Sequence, residues 1–210
     1  MNLVILGAPG AGKGTQAKAI SENFDIHHIS TGDILRDEIK KGSELGKKAV
    51  RFVESGKLVP DKIIIKMMKK IIGNSRTKDG FIIDGFPRNL KQAKMFSSVL
   101  DQLGIKLDKV INIVVDKNEV IERLSNRRTC SVCKSIFSEN GNGHDGRCPK
   151  CGGKLVKRKD DDGEVIKRRL EVYEEETGPL AEFYAEKGLL ININGSGTKK
   201  EITERILESL

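Results

Sequence analysis

The sequence predicts an α/β fold, a parallel five-stranded sheet with helices on both faces, interrupted by two insertions. Three observations predict it. Short, nearly continuous apolar runs alternate with stretches of helical spacing, a glycine-rich loop follows the first apolar run, and two segments break the rhythm.

Taken in order, Leu3–Leu6 reads as a strand buried on both faces, as parallel strands are. Helical spacing follows from 13 to 23, and His28-Ile29 adds a short strand. Residues 30 to 73 offer helix after helix, punctuated by Gly42, Gly56 and Pro60, which predicts a helical subdomain set onto the sheet. Phe81–Ile83, Val110–Val115 and Leu189–Ile193 are the remaining strands, with helices over 89–103, 117–127 and 198–209. A helix over 117–127 would carry Arg123 and Arg127, four apart, on one face. Residues 128 to 158 lose helical periodicity and gain Cys, Gly, Asn and polar turns, the second insertion. One long helix is then predicted over 162–187, with Val165, Leu170, Tyr173, Leu180 and Tyr184 on its apolar face. The run Asp160-Asp161-Asp162 reads as its negatively charged start.

At 210 residues, 37% hydrophobic and 32% charged, the chain can bury one main core and carry insertions. Its formal net charge of +8 suits polyanionic partners without separating nucleic acid from nucleotides. The run at Leu3–Leu6 is too short for a signal peptide or a membrane span, so a cytoplasmic protein with reduced cysteines is expected.

"GAPGAGKGT", residues 7 to 15, has the form Gly-x-x-x-x-Gly-Lys between a strand and a helix, the context of a phosphate-binding loop. Several backbone N–H groups must reach phosphate oxygens together, so Gly7, Gly10, Gly12 and Gly14 supply clearance and unusual backbone angles. Lys13 adds a point charge, and the following helix aims its free N–H groups at the same anion. The residue after the lysine is Gly14, where the general loop has a magnesium-ligating hydroxyl; the hydroxyl comes one place later, at Thr15. Mg²⁺ is therefore expected to be held mainly by nucleotide and water, with Asp84, the acid ending "FIID", behind it.

"CSVC" and "CPKC" set Cys130, Cys133, Cys148 and Cys151 as two Cys-x-x-Cys pairs separated by fourteen residues. Two such knuckles close tetrahedrally on one Zn²⁺, and four thiolates mark a structural site; disulfides are the alternative. His144 is a fifth candidate ligand or a loop residue, and His27 and His28 read as strand-edge or core positions.

With the loop variant "GxPGxGKGT", the stretches "STGDILR" (30–36), "DGFPRNLKQA" (84–93) and "RKDDDGEVIKRRL" (158–170) resemble, in order, the motifs of the adenylate kinases among nucleoside monophosphate kinases. The resemblance spans essentially the whole chain. It implies a P-loop NTPase core over 1–29, 60–126 and 162–210, an AMP-binding subdomain over 30–59 and a zinc-bearing lid over 127–161. It implies phosphoryl transfer from MgATP to AMP giving two ADP; no extra apolar helix face stands out, so a monomer is expected, without nucleic acid or membrane partners. Gly10, Ala11, Gly12, Lys13, Gly14, Thr15, Arg123, Arg127, Ile136, Phe137 and Gly197 match positions that contact ATP, although Phe137 could instead be the lid's own small core. Thr31, Arg36, Lys57, Leu58, Val59, Gly85, Phe86, Pro87, Arg88, Gln92, Arg158 and Arg169 match positions that contact AMP, and the Phe86-Pro87 bond matches one that is cis. Lys13, Asp84, Arg88, Arg127, Arg158 and Arg169 match the catalytic set; Arg51, Arg128, Arg147 and Arg168 gain no role. The rival in another class is a basic zinc-ribbon NTPase that binds nucleic acid, disfavoured by an aromatic content of 4%. Within the class, UMP, CMP or GMP as acceptor and GTP as donor remain open.

Overall fold

The computed structural model describes residues 1–139 and 145–210, so the candidate ligand His144 lies outside the described residues. The main sheet is parallel, with strands β1 (Asn2–Gly7), β2 (His27–Ser30), β3 (Phe81–Asp84), β4 (Lys109–Val114) and β8 (Leu190–Asn194) in the order β2-β3-β1-β4-β8. Strands β1, β3 and β4 are legible as apolar runs because they lie inside the sheet with both faces largely covered, whereas the edge strands β2 and β8 are only partly buried. Alternation along β1 divides the core: Val4 and Leu6 pack on one side with Phe81, Phe86 and Phe96, while Leu3 and Ile5 pack on the other with Ile20, Ile202 and Ile206.

Helices follow where local chemistry starts them. Helix α1 (Lys13–Phe24) opens behind Gly12, whose φ of 95° requires glycine. Helix α2 (Thr31–Lys41) is capped by Ser30, which accepts from the Asp33 N–H at 3.3 Å. Helix α3 (Glu44–Glu54) is capped by Ser43 in the same way, and α4 (Asp61–Ile72) follows Pro60. These three helices are the predicted all-helical stretch. Asn89 caps α5 (Leu90–Leu103), and a reciprocal Thr198–Glu201 capping box opens α9 (Lys199–Ser209).

Two predicted helices end differently. The helix expected over 117–127 stops as α6 (Lys117–Ser125), because Arg127 opens strand β5 (Arg127–Cys130) of a second, antiparallel sheet with β6 (Ile136–Ser138) and β7 (Leu155–Val156). Arg123 and Arg127 therefore do not share a helix face. The helix expected over 162–187 divides into α7 (Gly163–Val172), a wide turn at Tyr173–Thr177, and α8 (Leu180–Glu186). The wide turn closes with the Gly178 N–H donating to the Tyr173 carbonyl, and Pro179, which has no N–H to give, precedes α8. His27 and His28 lie in β2, the edge strand, as expected.

Candidate active site

Phosphate chemistry concentrates where β1 and β3 end. Gly10 has φ of 89°, and a Cβ there would lie 2.8 Å from the Leu124 side chain and 2.9 Å from the Val120 carbonyl, so the loop is built for bare backbone. Lys13 donates to the carbonyls of Gly7 and Ala8, each at 2.8 Å, which folds its ammonium into the loop's mouth. Burial pushes this lysine down to about 8, with repulsion from Arg88, Arg169 and Arg127 adding to burial and Asp84 opposing it. A Cβ on Gly14 would sit 3.1 Å from Asp84 Oδ2, so any side chain after the lysine would make the carboxylate that ends β3 move by a few tenths of an ångström.

Two clefts meet beside this loop. One is lined by Thr31, Arg36, Lys57, Leu58, Val59, Gly85, Arg88, Gln92 and Arg169, nine of the predicted AMP contacts. The other is lined by Gly7, Lys13, Pro87, Arg88, Arg169, Tyr173 and Thr177, so Arg88 and Arg169 belong to both. The Phe86-Pro87 bond is cis, and Arg88 is anchored through Nε to the Gly85 carbonyl at 2.7 Å. Thr177 donates its hydroxyl to the Arg88 carbonyl at 2.8 Å, which gives the wide turn after α7 a place in the site. Burial, then the charge of Arg169, lowers Arg88 to about 10, and burial followed by Arg36 and Arg127 does the same to Arg158. Both stay charged at neutral pH, and Arg88 shares the cleft walls with Arg36, Arg169 and Lys13, which concentrates positive charge there.

Their counter-charges are residues that sequence reasoning missed. Asp162 does precede α7 as read, but Asp160 and Asp161 are 7% and 0% exposed and sit inside the arginine cluster. Asp161 takes Arg127 in a two-pronged pair, one bond being Nε to Oδ2 at 2.7 Å, and accepts from Arg169 at 3.0 Å. Asp160 lies 3.3 Å from Arg169 and 3.7 Å from Arg36. Burial works to raise its carboxyl, but Arg169, Arg36 and Arg158 outweigh burial and hold it below the usual carboxylate range. Three adjacent carboxylates flanked by Arg158 and the Arg168-Arg169 pair were the available signal, and the helix-start reading masked it.

The second sheet carries the cysteines. All four sulfurs, of Cys130, Cys133, Cys148 and Cys151, lie within 4.8 Å of one another, and all four are free thiols. Cys130 to Cys151 is 3.4 Å and Cys133 to Cys148 is 3.6 Å. Zinc–thiolate bonds of about 2.3 Å in a tetrahedron give sulfur separations near 3.8 Å, so the set fits that ion. The two knuckles share one turn: the N–H of Lys134 returns to the Cys130 carbonyl and that of Gly152 to the Cys148 carbonyl, with positive φ at both. Hydrogen bonds with the Ser135 hydroxyl and backbone bring the Cys133 thiol down to about 6, while at Cys151 a backbone hydrogen bond from Gly153 is outweighed by the neighbouring Cys130 and Cys133 thiols, which push it up to about 11. Ion pairs Lys134–Asp37 at 3.3 Å and Lys159–Glu54 at 3.1 Å tie residues of this region to α2 and α3.

Other predicted residues lie apart from the two clefts. Arg123 pairs with Glu119 and donates to the Gly195 carbonyl at 2.9 Å, beside the loop containing Gly197. Glu119 also accepts from the Ser196 hydroxyl at 2.9 Å, so α6 and that loop are joined. Ile136 and Phe137 lie on β6, and neither lines the two clefts. Arg158 donates to the Thr129 hydroxyl at 2.9 Å, within electrostatic reach of Arg36, Arg127 and Asp160.

A phosphate-binding loop on a parallel sheet, a second cleft sharing two arginines with the first, and a cysteine-bearing flap define a nucleoside monophosphate kinase, a phosphotransferase. Residues 5–189 match the profile of the family described as adenylate kinase. The chain is 46% identical to an adenylate kinase of Caldicellulosiruptor bescii, over 100% of this chain and 99% of that one. It is 45% identical to one of Archaeoglobus fulgidus at the same coverage, and 44% identical to one of Thermodesulfovibrio yellowstonii, over 98% of this chain and 97% of that one. The chain belongs to the adenylate kinase family.

Proposed function

We propose that the protein moves the terminal phosphoryl group of ATP reversibly to AMP, giving two ADP, and so balances the adenine nucleotides. The observation that carries this reading is the shared wall: Arg88 and Arg169 line both clefts, with Lys13 at the mouth of one and Arg36 in the other. The triphosphate of ATP entering from one side and the single phosphate of AMP from the other would meet there.

AMP's phosphate oxygen is already ionised at neutral pH, so no side chain has to remove a proton. Catalysis is then alignment and charge stabilisation, for which Lys13, Arg88, Arg127, Arg158 and Arg169 are the cationic groups. Thr31, Arg36, Gln92 and the backbone of Lys57, Leu58 and Val59 would bind AMP, while the loop from Gly10 to Thr15 would bind ATP's phosphates and Arg123 with Gly197 its base. Lid closure would bring Ile136 and Phe137 to the nucleotide. Magnesium bound with ATP would offset part of the phosphate charge. Asp84 is the acid available to it, because Gly14 has no ligating atom. Cys130, Cys133, Cys148 and Cys151 would hold a structural zinc that lets residues 127–161 move as one stiff lid between a core and an AMP-binding subdomain at 30–59. Four thiols gathered for metal rather than paired in disulfides support a reducing, cytoplasmic setting. A monomer is the oligomeric state that accompanies this reading. Arginines converging on a cleft, rather than spread along a surface, favour nucleotides over nucleic acid.

The test is a coupled assay with ATP as donor and AMP, CMP, GMP or UMP as acceptor. AMP should be strongly preferred, with two ADP formed per turnover. Preference for a pyrimidine, or stoichiometric nucleic-acid binding without phosphoryl transfer, would refute the reading.

A further inference from the structure

Gln92 is 2% exposed and lines the cleft assigned to AMP. Its amide offers two donor and two acceptor positions, and in isolation it could sit either way round. Two of the four are already engaged. Oε1 accepts from the Arg88 backbone N–H at 2.9 Å, and Nε2 donates to Asp61 Oδ1 at 2.9 Å. A backbone N–H only donates and a carboxylate only accepts. Turning the amide over would therefore oppose donor to donor at Arg88 and acceptor to acceptor at Asp61.

Asp61 is itself held. It is the first residue of α4, its Oδ1 also accepts from Asn89 Nδ2 at 3.3 Å, and its Oδ2 lies 3.6 Å from the Lys91 ammonium. Asn89 in turn accepts from the Gln92 backbone N–H at 2.8 Å, so the start of α5 and the start of α4 grip one another around this amide. What the amide has left for a ligand is one N–H and one lone pair, in fixed positions. Adenine presents the complement, an accepting N1 beside a donating amino group. Hypoxanthine and guanine present the reverse, N1–H beside O6, which only an inverted amide could match.

We propose that Asp61 is a positioning residue that latches Gln92 in the adenine-reading orientation, so that the acceptor site rejects 6-oxopurine monophosphates. This rests on the assignment of the cleft to AMP. Without the latch, inversion leaves one opposed pair instead of two, and a 6-oxopurine regains both hydrogen bonds to the amide.

The experiment measures kcat/KM for AMP and IMP in the parent, Asp61→Asn, Gln92→Ala and the double variant. Asp61→Asn keeps the shape but supplies an amide that can also donate. The AMP:IMP ratio should fall about tenfold or more in Asp61→Asn, the order set by one mispaired buried hydrogen-bonding group. Adding the change to Gln92→Ala should alter the ratio by no more than about twofold, because the effect passes through Gln92. A purely structural role would lower both substrates together and leave the ratio unchanged, and that result overturns the proposal, as does a full drop in the Gln92→Ala background. If Gln92→Ala alone moved neither the ratio nor the KM for AMP, the base would not be read in this cleft and the underlying assignment would fail first. Should Asp61→Asn not fold, the parent protein still decides. Purine riboside 5′-monophosphate, with N1 but no 6-substituent, should inhibit at least about tenfold more tightly than IMP, since IMP sets O6 against the locked Oε1. Equal or tighter inhibition by IMP would mean the amide is free to turn.

Discussion

Replacing Asp161 with asparagine removes one charge and almost no volume. The carboxylate is fully buried, takes two bonds from Arg127 of β5 and one of 3.0 Å from Arg169 of α7. In Asp161→Asn, Arg127 loses the carboxylate that pairs it, while Arg169 keeps Asp160 at 3.3 Å. Removing one partner of a buried pair costs about 3–5 kcal/mol because a desolvated charge is left behind. The amide oxygen that remains, together with Asp160, puts this case near the low end, about 3 kcal/mol. For a chain of this size that lowers the melting temperature by roughly 6–12 °C. A bisubstrate dinucleotide polyphosphate supplies the missing negative charge, so it should stabilise the variant by more than it stabilises the parent. The assay is urea and thermal unfolding of both proteins with and without that ligand. A loss below about 1 kcal/mol in the free variant, the size of an exposed pair, would refute the view that Asp161 balances the cluster.

Three further outcomes are expected. Arg88→Met, which removes the cation common to both clefts, should lower turnover by about a hundredfold or more, and near-normal turnover would count against the shared-wall reading. Lys13, lowered to about 8 from 10.5 by burial, is about half protonated in the free protein at pH 8 and should recharge fully against phosphate. Binding of the magnesium complex of ATP, whose phosphates are already ionised in this range, should therefore take up about half a proton at pH 8, falling toward none near pH 6.5 and vanishing in Lys13→Met. Calorimetry in buffers of different ionisation enthalpy reads this, and proton release would contradict it. The parent should carry one zinc per chain and Cys148→Ser almost none, with hydrogen-exchange protection lost from β5 to β7 while the parallel sheet keeps its own. Undiminished zinc content would exclude that ligand set.

Much of the site was legible because its signals are local. Gly7 to Thr15 declares a phosphate loop within nine residues, since clearance and positive φ are demands on the backbone itself. The cysteine knuckles are each four residues long, and the strands are short apolar runs that both faces of a parallel sheet require. Resemblance implied the set of residues assigned to AMP, nine of which line one cleft, and the cis bond between Phe86 and Pro87, which is present. Less local features misled. Helical spacing through 162–187 concealed the wide turn at Tyr173–Thr177, and the four-residue interval between Arg123 and Arg127 suggested a shared face where a strand begins instead.

By itself the sequence determined the sheet, the loop, the thiol set and the class of chemistry, because each depends on residues adjacent along the chain. Only the tertiary structure decided how charges are balanced and which way Gln92 points. Asp161 meets Arg127 across 34 positions, and Asp61 meets Gln92 across 31. Whether a carboxylate is a solvated helix start or a buried counter-charge depends on the surrounding dielectric and the cations beside it, and both exist only once distant segments have packed together.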